Sequence, residues 1–178
     1  LDNNIDWALS RNRYWGTPFP IWICENKHQT AVASLKELSE LAKKDVSAID
    51  PHRPFVDEIL IDCPECNTKA KRVPEVIDCW YDSGAMPFAQ LNYPAKNSEL
   101  FKKNYPADFI CEAIDQTRGW FYTLMAVGTL VFNQSSYKNV VTLGHILDEK
   151  GRKMSKHLGN VLEPIALMDE RSEEHTSE

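Results

Sequence analysis

The sequence predicts an α/β fold with a parallel sheet, interrupted by a small insert of different character. Three observations carry this. Beyond residue 106, apolar runs at 107–113 and 139–143 alternate with a long helical stretch at 117–132 and a helix opening near Pro164, the rhythm of parallel-sheet proteins. Residues 24–72 break that rhythm with short strands, one helix and cysteine pairs, and read as an insert. The composition, 43% hydrophobic and 26% charged over 178 residues, is that of a folded globular chain without repeats or low-complexity tracts.

Taken in order, residues 4–13 read as a short helix, with Trp7, Ala8 and Arg11 spaced by a turn or less. Gly16, Pro18 and Pro20 stop any helix, and 21–23 is a strand. Residues 34–44 form an amphipathic helix. Ser34 stands at its N-cap and Glu37 in capping-box position. Leu35, Leu38, Leu41 and Ala42 make its apolar stripe, and Lys43 and Lys44 suit the negative end of its dipole. A loop at 45–57 leads to short strands at 58–62 and 69–73 around a turn at 64–67, then to a strand at 76–80 ending on Trp80. Residues 94–106 are irregular, with a turn of helix at 99–103. The 107–113 run reads as a buried strand and 117–132 as a buried helix bounded by Asp115 and Asn133. Residues 139–143 are a β-branched strand, and the loop 145–160 precedes the Pro164 helix, proline fitting a first helical turn. The polar final eight residues interrupt that helix.

Charge and cysteine usage narrow the function. Lys+Arg number 20 against Asp+Glu 26, a net charge of −6. That excludes binding nucleic acid through a general basic surplus, so any such role rests on a local site. The longest apolar run, 124–132, is too short to span a bilayer. No secretory segment opens the chain, and the expectation is a cytoplasmic protein without membrane contact. The 5 cysteines include a C-x-x-C, which favours metal or free thiols over a disulfide framework. Leu1 runs straight into structured-looking sequence, so the chain reads as a fragment of a longer polypeptide.

Four constellations carry chemistry. Cys24-x3-His28 and Cys63-x2-Cys66 supply four N/S donors on two turns, the set a structural Zn²⁺ takes with no open position for catalysis. The plainer alternative is a packed Cys24 and a solvated His28. Lys153 and Lys156, in Lys153-Met154-Ser155-Lys156-His157 between a strand and a helix, can clamp polyphosphate oxygens; a solvated basic loop is the alternative. Glu112, Asp115 and Gln116 sit where a parallel strand gives way to a helix, the end at which such sheets bind ligands. The carboxylates can accept from ribose hydroxyls or an amine, and Asp115 can also cap the helix. Trp80 lines an apolar pocket with Trp120 or packs in the core, and Asp82 or Ser83 caps the helix that follows.

The segments NRYWGTPFPIW, VIDCWYDSGAMPF, PADFICEAIDQTRGWFY and LDEKGRKMSKHLGN, in this order, closely resemble the isoleucyl-tRNA synthetases, which are class I aminoacyl-tRNA ligases. The match covers most of residues 4–165. Valyl and leucyl relatives share the RYWG-like opening and the KMSKS loop but lack IDQTRGWF. The resemblance implies an enzyme that activates isoleucine with ATP and Mg²⁺ to isoleucyl-adenylate and pyrophosphate, then charges tRNA(Ile), acting as a monomer. It implies a Rossmann-type catalytic domain with a large editing insert. Residues 1–23 would return from that insert and 24–75 would be a zinc-binding element. Residues 76–165 would be the second, C-terminal half of the Rossmann-type domain with its KMSKS-like loop, and 166–178 a tail, partly non-native, whose last eight residues resemble vector read-through. Carried over, Trp80 and Trp120 wall the isoleucine pocket, and Glu112, Asp115 and Gln116 hold the aminoacyl-adenylate. Lys153, Met154, Ser155 and Lys156 match the first four positions of KMSKS.

Three positions depart from the family pattern. Ala113 stands where glycine is usual, His157 replaces the final serine of KMSKS, and Cys24-x3-His28 replaces a C-x-x-C. No H-I-G-H-like motif is present in these 178 residues, so the chain alone is expected not to catalyse. The competing readings are a valyl- or leucyl-type synthetase, a zinc-ribbon binding module, which explains only 20–72, and a synthetase-like protein that has lost its site.

Overall fold

A computed structural model describes residues 6–170 of the chain. The cysteine-bearing module is built on a four-stranded antiparallel sheet. Its strands are β2 (Ile21–Cys24), β3 (Gln29–Ala31), β4 (Ile61–Asp62) and β5 (Lys69–Arg72), in the order β3-β2-β5-β4. Trp22 pairs with Arg72 and Cys24 with Ala70, so the alternation along β2 buries Trp22 and Cys24. Helix α1 (Leu35–Ala42) lays Leu38 on the core of Trp22, Val46, Val56, Ile59 and Ile61. Its start follows the sequence pattern: the Ser34 hydroxyl accepts from the Glu37 amide at 3.2 Å, and the Glu37 carboxylate accepts from the Ala33 amide at 2.7 Å. Lys43, in the left-handed region, ends the helix and pairs with Asp62 at 2.7 Å. The Trp22 indole donates to the Ile59 carbonyl at 2.8 Å, and the enclosed Arg72 guanidinium donates from Nε to Asp57 at 2.6 Å, while its Nη2 is in ion-pair contact with Asp57 without a hydrogen bond of good geometry.

The second body is a strand–helix–strand unit. β7 (Ala107–Ala113) and β8 (Tyr137–Leu143) pair in parallel, from Ala107↔Tyr137 to Ala113↔Leu143. They are joined by a 3₁₀ turn at Ile114–Arg118 and helix α4 (Trp120–Phe132). Helix α2 (Cys79–Ala89) packs on α4 through Gly84. A Cβ at Gly84 would sit 2.7 Å from the Thr123 carbonyl oxygen, so a larger residue would have to push the helices apart. Phe101 of helix α3 (Ser98–Asn104) stacks on Tyr93 and Tyr105 at 4.1 and 4.7 Å and closes this side together with Phe132. Helix α5 (Pro164–Glu170) starts at the expected proline.

Several local expectations give way to long-range bonds. No helix forms within the described part of 4–13. Instead β1 (Ser10–Arg11) pairs antiparallel with β6 (Val76–Ile77), and the Asp78 carboxylate takes the Trp7 indole at 2.9 Å and the Arg11 guanidinium at 2.5 Å. The 76–80 strand stops at Ile77 because Asp78 caps α2, accepting from the Trp80 amide at 3.2 Å; Trp80 therefore lies in a helix. Asp82, one of the expected caps, instead accepts from the Thr17 hydroxyl at 3.1 Å. The 58–62 strand shortens to Ile61–Asp62 behind a 3₁₀ turn at Phe55–Glu58. Strand 107–113 is not buried: only Ile110 is, because two strands carry a helix on one face, and Phe109 is 63% exposed. Gly119 splits the 117–132 stretch into the 3₁₀ turn and α4, whose far face leaves Leu130 85% exposed. The final eight residues lie outside the described part. Among the described residues no helix is long and apolar enough to cross a membrane.

Asp78 joins three segments, and its loss has a predictable pH signature. Burial pushes its carboxyl up, but the Trp7 indole, the Trp80 amide and Arg11 outweigh burial and hold it below the usual carboxylate range. A group with a depressed folded pKa stabilises fully above its unfolded value and loses that contribution as pH falls through the folded one. Asp78→Ala is expected to cost about 1–2 kcal/mol at pH 7 through the lost cap. The deficit against the parent chain should narrow below pH 4 as Asp78 itself protonates, which urea unfolding at pH 7 and pH 3 would measure.

Candidate functional site

The two metal-donor pairs sit on two tight turns. β2 ends on Cys24, and Lys27 at φ 66° bends the chain so that the Cys24 amide donates to the His28 carbonyl at 3.2 Å. β4 runs into Cys63, whose amide donates to the Thr68 carbonyl at 2.8 Å, with Asn67 at φ 57° completing the turn. The donor atoms of Cys24, His28, Cys63 and Cys66 all lie within 4.8 Å of one another. Cys24 Sγ is 3.7 Å from Cys66 Sγ, and Cys63 Sγ is 3.6 Å from His28 Nδ1. Tetrahedral zinc at its usual bond lengths places two sulfurs about 3.8 Å apart and sulfur and nitrogen about 3.6 Å apart. The donor set and its spacing therefore fit a closed zinc site. The thiols are prepared unequally. The Thr68 hydroxyl, 3.1 Å away, and the Thr68 amide bring Cys66 down to about 5, while burial pushes Cys63 up.

Past the C-terminal end of β7, two of the predicted site residues, Gln116 and Trp80, meet at Gly119. The Gln116 side-chain oxygen accepts from the Trp120 amide at 2.9 Å, so Gln116 and not Asp115 caps α4. Asp115, freed from capping, is exposed, with the Gln116 amide nitrogen 3.4 Å from its carboxylate. A Cβ on Gly119 would meet the Trp80 ring at 2.9 Å and Gln116 Oε1 at 2.8 Å. The Trp120 indole donates to the Ser83 carbonyl at 3.2 Å. The first turns of α2 and α4 thus set the Trp80 ring against Gly119 and tie the Trp120 indole to Ser83 in α2. Trp80 is 41% exposed and is not a core residue. Trp120 lines a cavity of about 340 Å³ that reaches Met86, Tyr105 and Ile110, and Trp80 is not among its lining residues. Glu112 is exposed on β7, and Ala113 has φ −69° and ψ 156°, extended backbone that needs no glycine.

The 145–160 loop is organised by one carboxylate. Asp148 accepts from the Lys150 and Arg152 amides at 3.0 and 2.8 Å, from Arg152 Nε at 2.9 Å and from Asn160 Nδ2 at 2.8 Å. The Arg152 amide and the Asn160 side chain, first among these bonds, hold its pKa down. Asn160 also accepts from the Ser155 amide at 2.9 Å, and the His157 amide donates to the Ser155 hydroxyl at 3.3 Å. Lys153 lies 3.4 Å from His145 Nε2. Among the described residues no carboxylate is in ion-pair range of Lys153 or Lys156, both exposed, while Met154 is half-buried. The loop therefore presents two cations on a fixed frame. No hydrogen bond or ion pair among the described residues joins it to Trp80, Glu112, Asp115, Gln116 or Trp120. Thr68, Asp148 and Asn160 did not emerge from sequence reasoning. For Asp148 the aspartate three residues before Gly151 was an available turn signal.

Residues 1–176 match the family described as class I tRNA synthetases (I, L, M and V). The chain is 69% identical over 172 residues to an isoleucine–tRNA ligase of Streptomyces coelicolor, covering 96% of the chain and 16% of that protein. It is 64% identical over 176 residues to the isoleucine–tRNA ligase of Thermobifida fusca and 55% identical to that of Clostridium kluyveri. It spans about a sixth of the length of these curated relatives. Its fold is similar, with TM-score 0.62 and 26% identity over 92% of the chain, to 22% of a chain in the Agrobacterium radiobacter LeuRS–tRNA–LeuAMS ternary complex.

Proposed function

The chain belongs to the class I tRNA synthetases, and from that premise we propose that it forms part of an isoleucine–tRNA ligase. In this reading the isoleucine carboxylate attacks the α-phosphorus of ATP. The new O–P bond gives isoleucyl-adenylate, and the bond to the β-phosphate breaks to release pyrophosphate. The carboxylate is already ionised, so no general base is required, and the protein's task is to position and to stabilise charge. Trp80 and Trp120 wall the apolar side chain. Glu112, Asp115 and Gln116 hold the amino group and ribose. Lys153 and Lys156 face the departing phosphates from the loop that carries Met154, Ser155 and His157. Mg²⁺, carried with ATP, offsets phosphate charge. The isoleucyl group then passes to tRNA(Ile), in the cytoplasm.

Residues 76–165 serve as the second half of a Rossmann-type catalytic domain, and 1–23 as the return from an editing insert. Residues 24–75 serve as a zinc element in which Cys24, His28, Cys63 and Cys66 hold a structural ion. The observation that carries the reading is the Trp80 ring set against Gly119 beside Gln116, just past the end of β7, with Trp120 the next residue in the chain. The 69% identity favours isoleucine over valine or leucine, and a zinc-ribbon module would leave the strand–helix–strand unit without a role.

The test is alanine substitution in the parent polypeptide. Trp80→Ala and Trp120→Ala should each raise KM for isoleucine about tenfold or more, the loss of roughly 1.4 kcal/mol or more of apolar contact. KM for ATP should stay within about twofold, as expected when only the amino-acid contact is removed. Equal rises for both substrates would remove the tryptophans from the pocket.

A further inference from the structure

We propose that Glu65 is a positioning residue of the metal centre: it holds His28 in the tautomer that carries hydrogen on Nε2, leaving Nδ1 to bind the ion. This rests on the zinc reading above and deepens it. A neutral imidazole has one N–H and one lone pair, and a ligand must turn the lone pair to the metal. In the structure the two edges of the His28 ring face different partners. Nδ1 looks into the donor cluster, 3.6 Å from Cys63 Sγ. Nε2 looks outward to Glu65 Oε2 at 3.7 Å.

Glu65 lies inside the Cys63-x2-Cys66 turn, so the same backbone that presents two sulfurs also presents this carboxylate. The gap exceeds a direct hydrogen bond, for which N···O is about 2.7–3.2 Å. The Glu65 side chain is 63% exposed, and a shift of about 0.5–1 Å would bring it to hydrogen-bond distance. A carboxylate on the outer N–H fixes ring orientation and makes the inner nitrogen a better donor. This bears on the departure from the C-x-x-C pattern, since a thiolate in place of His28 would have no second edge to orient.

The experiment uses the full 178-residue chain loaded with Zn²⁺. Long-range ¹H–¹⁵N correlation spectra should show the His28 ring protonated at Nε2 and metal-bound at Nδ1; the reverse assignment would overturn the proposal. In chelator competition, Glu65→Ala should weaken zinc binding about tenfold or more, and Glu65→Gln, which keeps an acceptor oxygen, should recover most of the loss. In a His28→Cys background the same Glu65→Ala change should alter affinity less than about twofold, because no imidazole remains to be oriented. An equal loss in both backgrounds would make Glu65 a general negative charge near the ion and refute the tautomer role, as would an unchanged Glu65→Ala affinity. A chain that takes up no zinc would overturn the zinc reading itself, whereas a zinc-loaded chain indifferent to Glu65 would overturn only this proposal.

Discussion

Cys63→Ser is expected to abolish stoichiometric zinc binding and to unfold the module of residues 21–72. The size of the effect follows from where Cys63 sits. It is buried in the same core as Trp22, Ile61 and Ala70, and the strands that flank it, β4 and β5, are short. A module this small, with about fifty residues, has little core to stabilise it alone. Metal binding to a site absent from the unfolded chain is folding free energy, roughly 10–16 kcal/mol for structural zinc in small fingers. Serine keeps the shape but not the thiolate. The loss should be confined. Hydrogen exchange should show protection lost at Ile23, Ala70 and Lys71, which belong to the module's ladder, while Leu124 and Val127 in α4 stay protected. Chelator treatment of the unsubstituted chain should reproduce the pattern. Unchanged metal content and thermal stability in Cys63→Ser would contradict the role given to these four residues.

Lys153→Ala or Lys156→Ala in the parent polypeptide is expected to slow pyrophosphate exchange about 10²–10³-fold each, the usual cost of removing one preorganised group that meets developing charge. The structural basis is that both ammonium groups are exposed and without a carboxylate partner among the described residues. The loop beneath them is held by Asp148 and Asn160, not by the lysines themselves. Removing either lysine should therefore spare the loop's form. Arginine at either position should restore part of the rate, since it keeps the charge but not the compact ammonium geometry. KM for isoleucine should change little. A loss of the same size in isoleucine affinity, with exchange at saturation intact, would remove the loop from phosphate stabilisation.

What could be read from the sequence divides by distance along the chain. The Ser34–Glu37 cap, the Pro164 helix start and the two donor pairs are local patterns, and each stands where the spacing put it. The parallel pairing of the apolar runs was also legible, because their β-branched content and the helix between them leave few alternatives. The failures lie where a distant group decided the local state. Asp78 draws Trp7 and Arg11 across the chain and turns an apparent helix into a strand pair. It also moves Trp80 from the end of a strand to the first turn of α2, the placement that sets the ring against Gly119. Helix capping by Gln116 was hidden because its side chain reaches forward to Trp120 while Asp115, the better cap by propensity, points away. The exposure of β7 was missed because an apolar run looks the same whether a sheet covers it on one face or on two.

The most direct test of the account is amino-acid-dependent ATP–pyrophosphate exchange by the parent polypeptide, with isoleucine, valine and leucine side by side. Strong exchange with isoleucine is predicted, with valine weaker by about 10²-fold in kcat/KM; isoleucine against valine is the well-known example of this limit for a hydrophobic pocket. Exchange supported by leucine or valine and not by isoleucine would contradict the proposed Trp80 and Trp120 pocket and, with it, the proposed function.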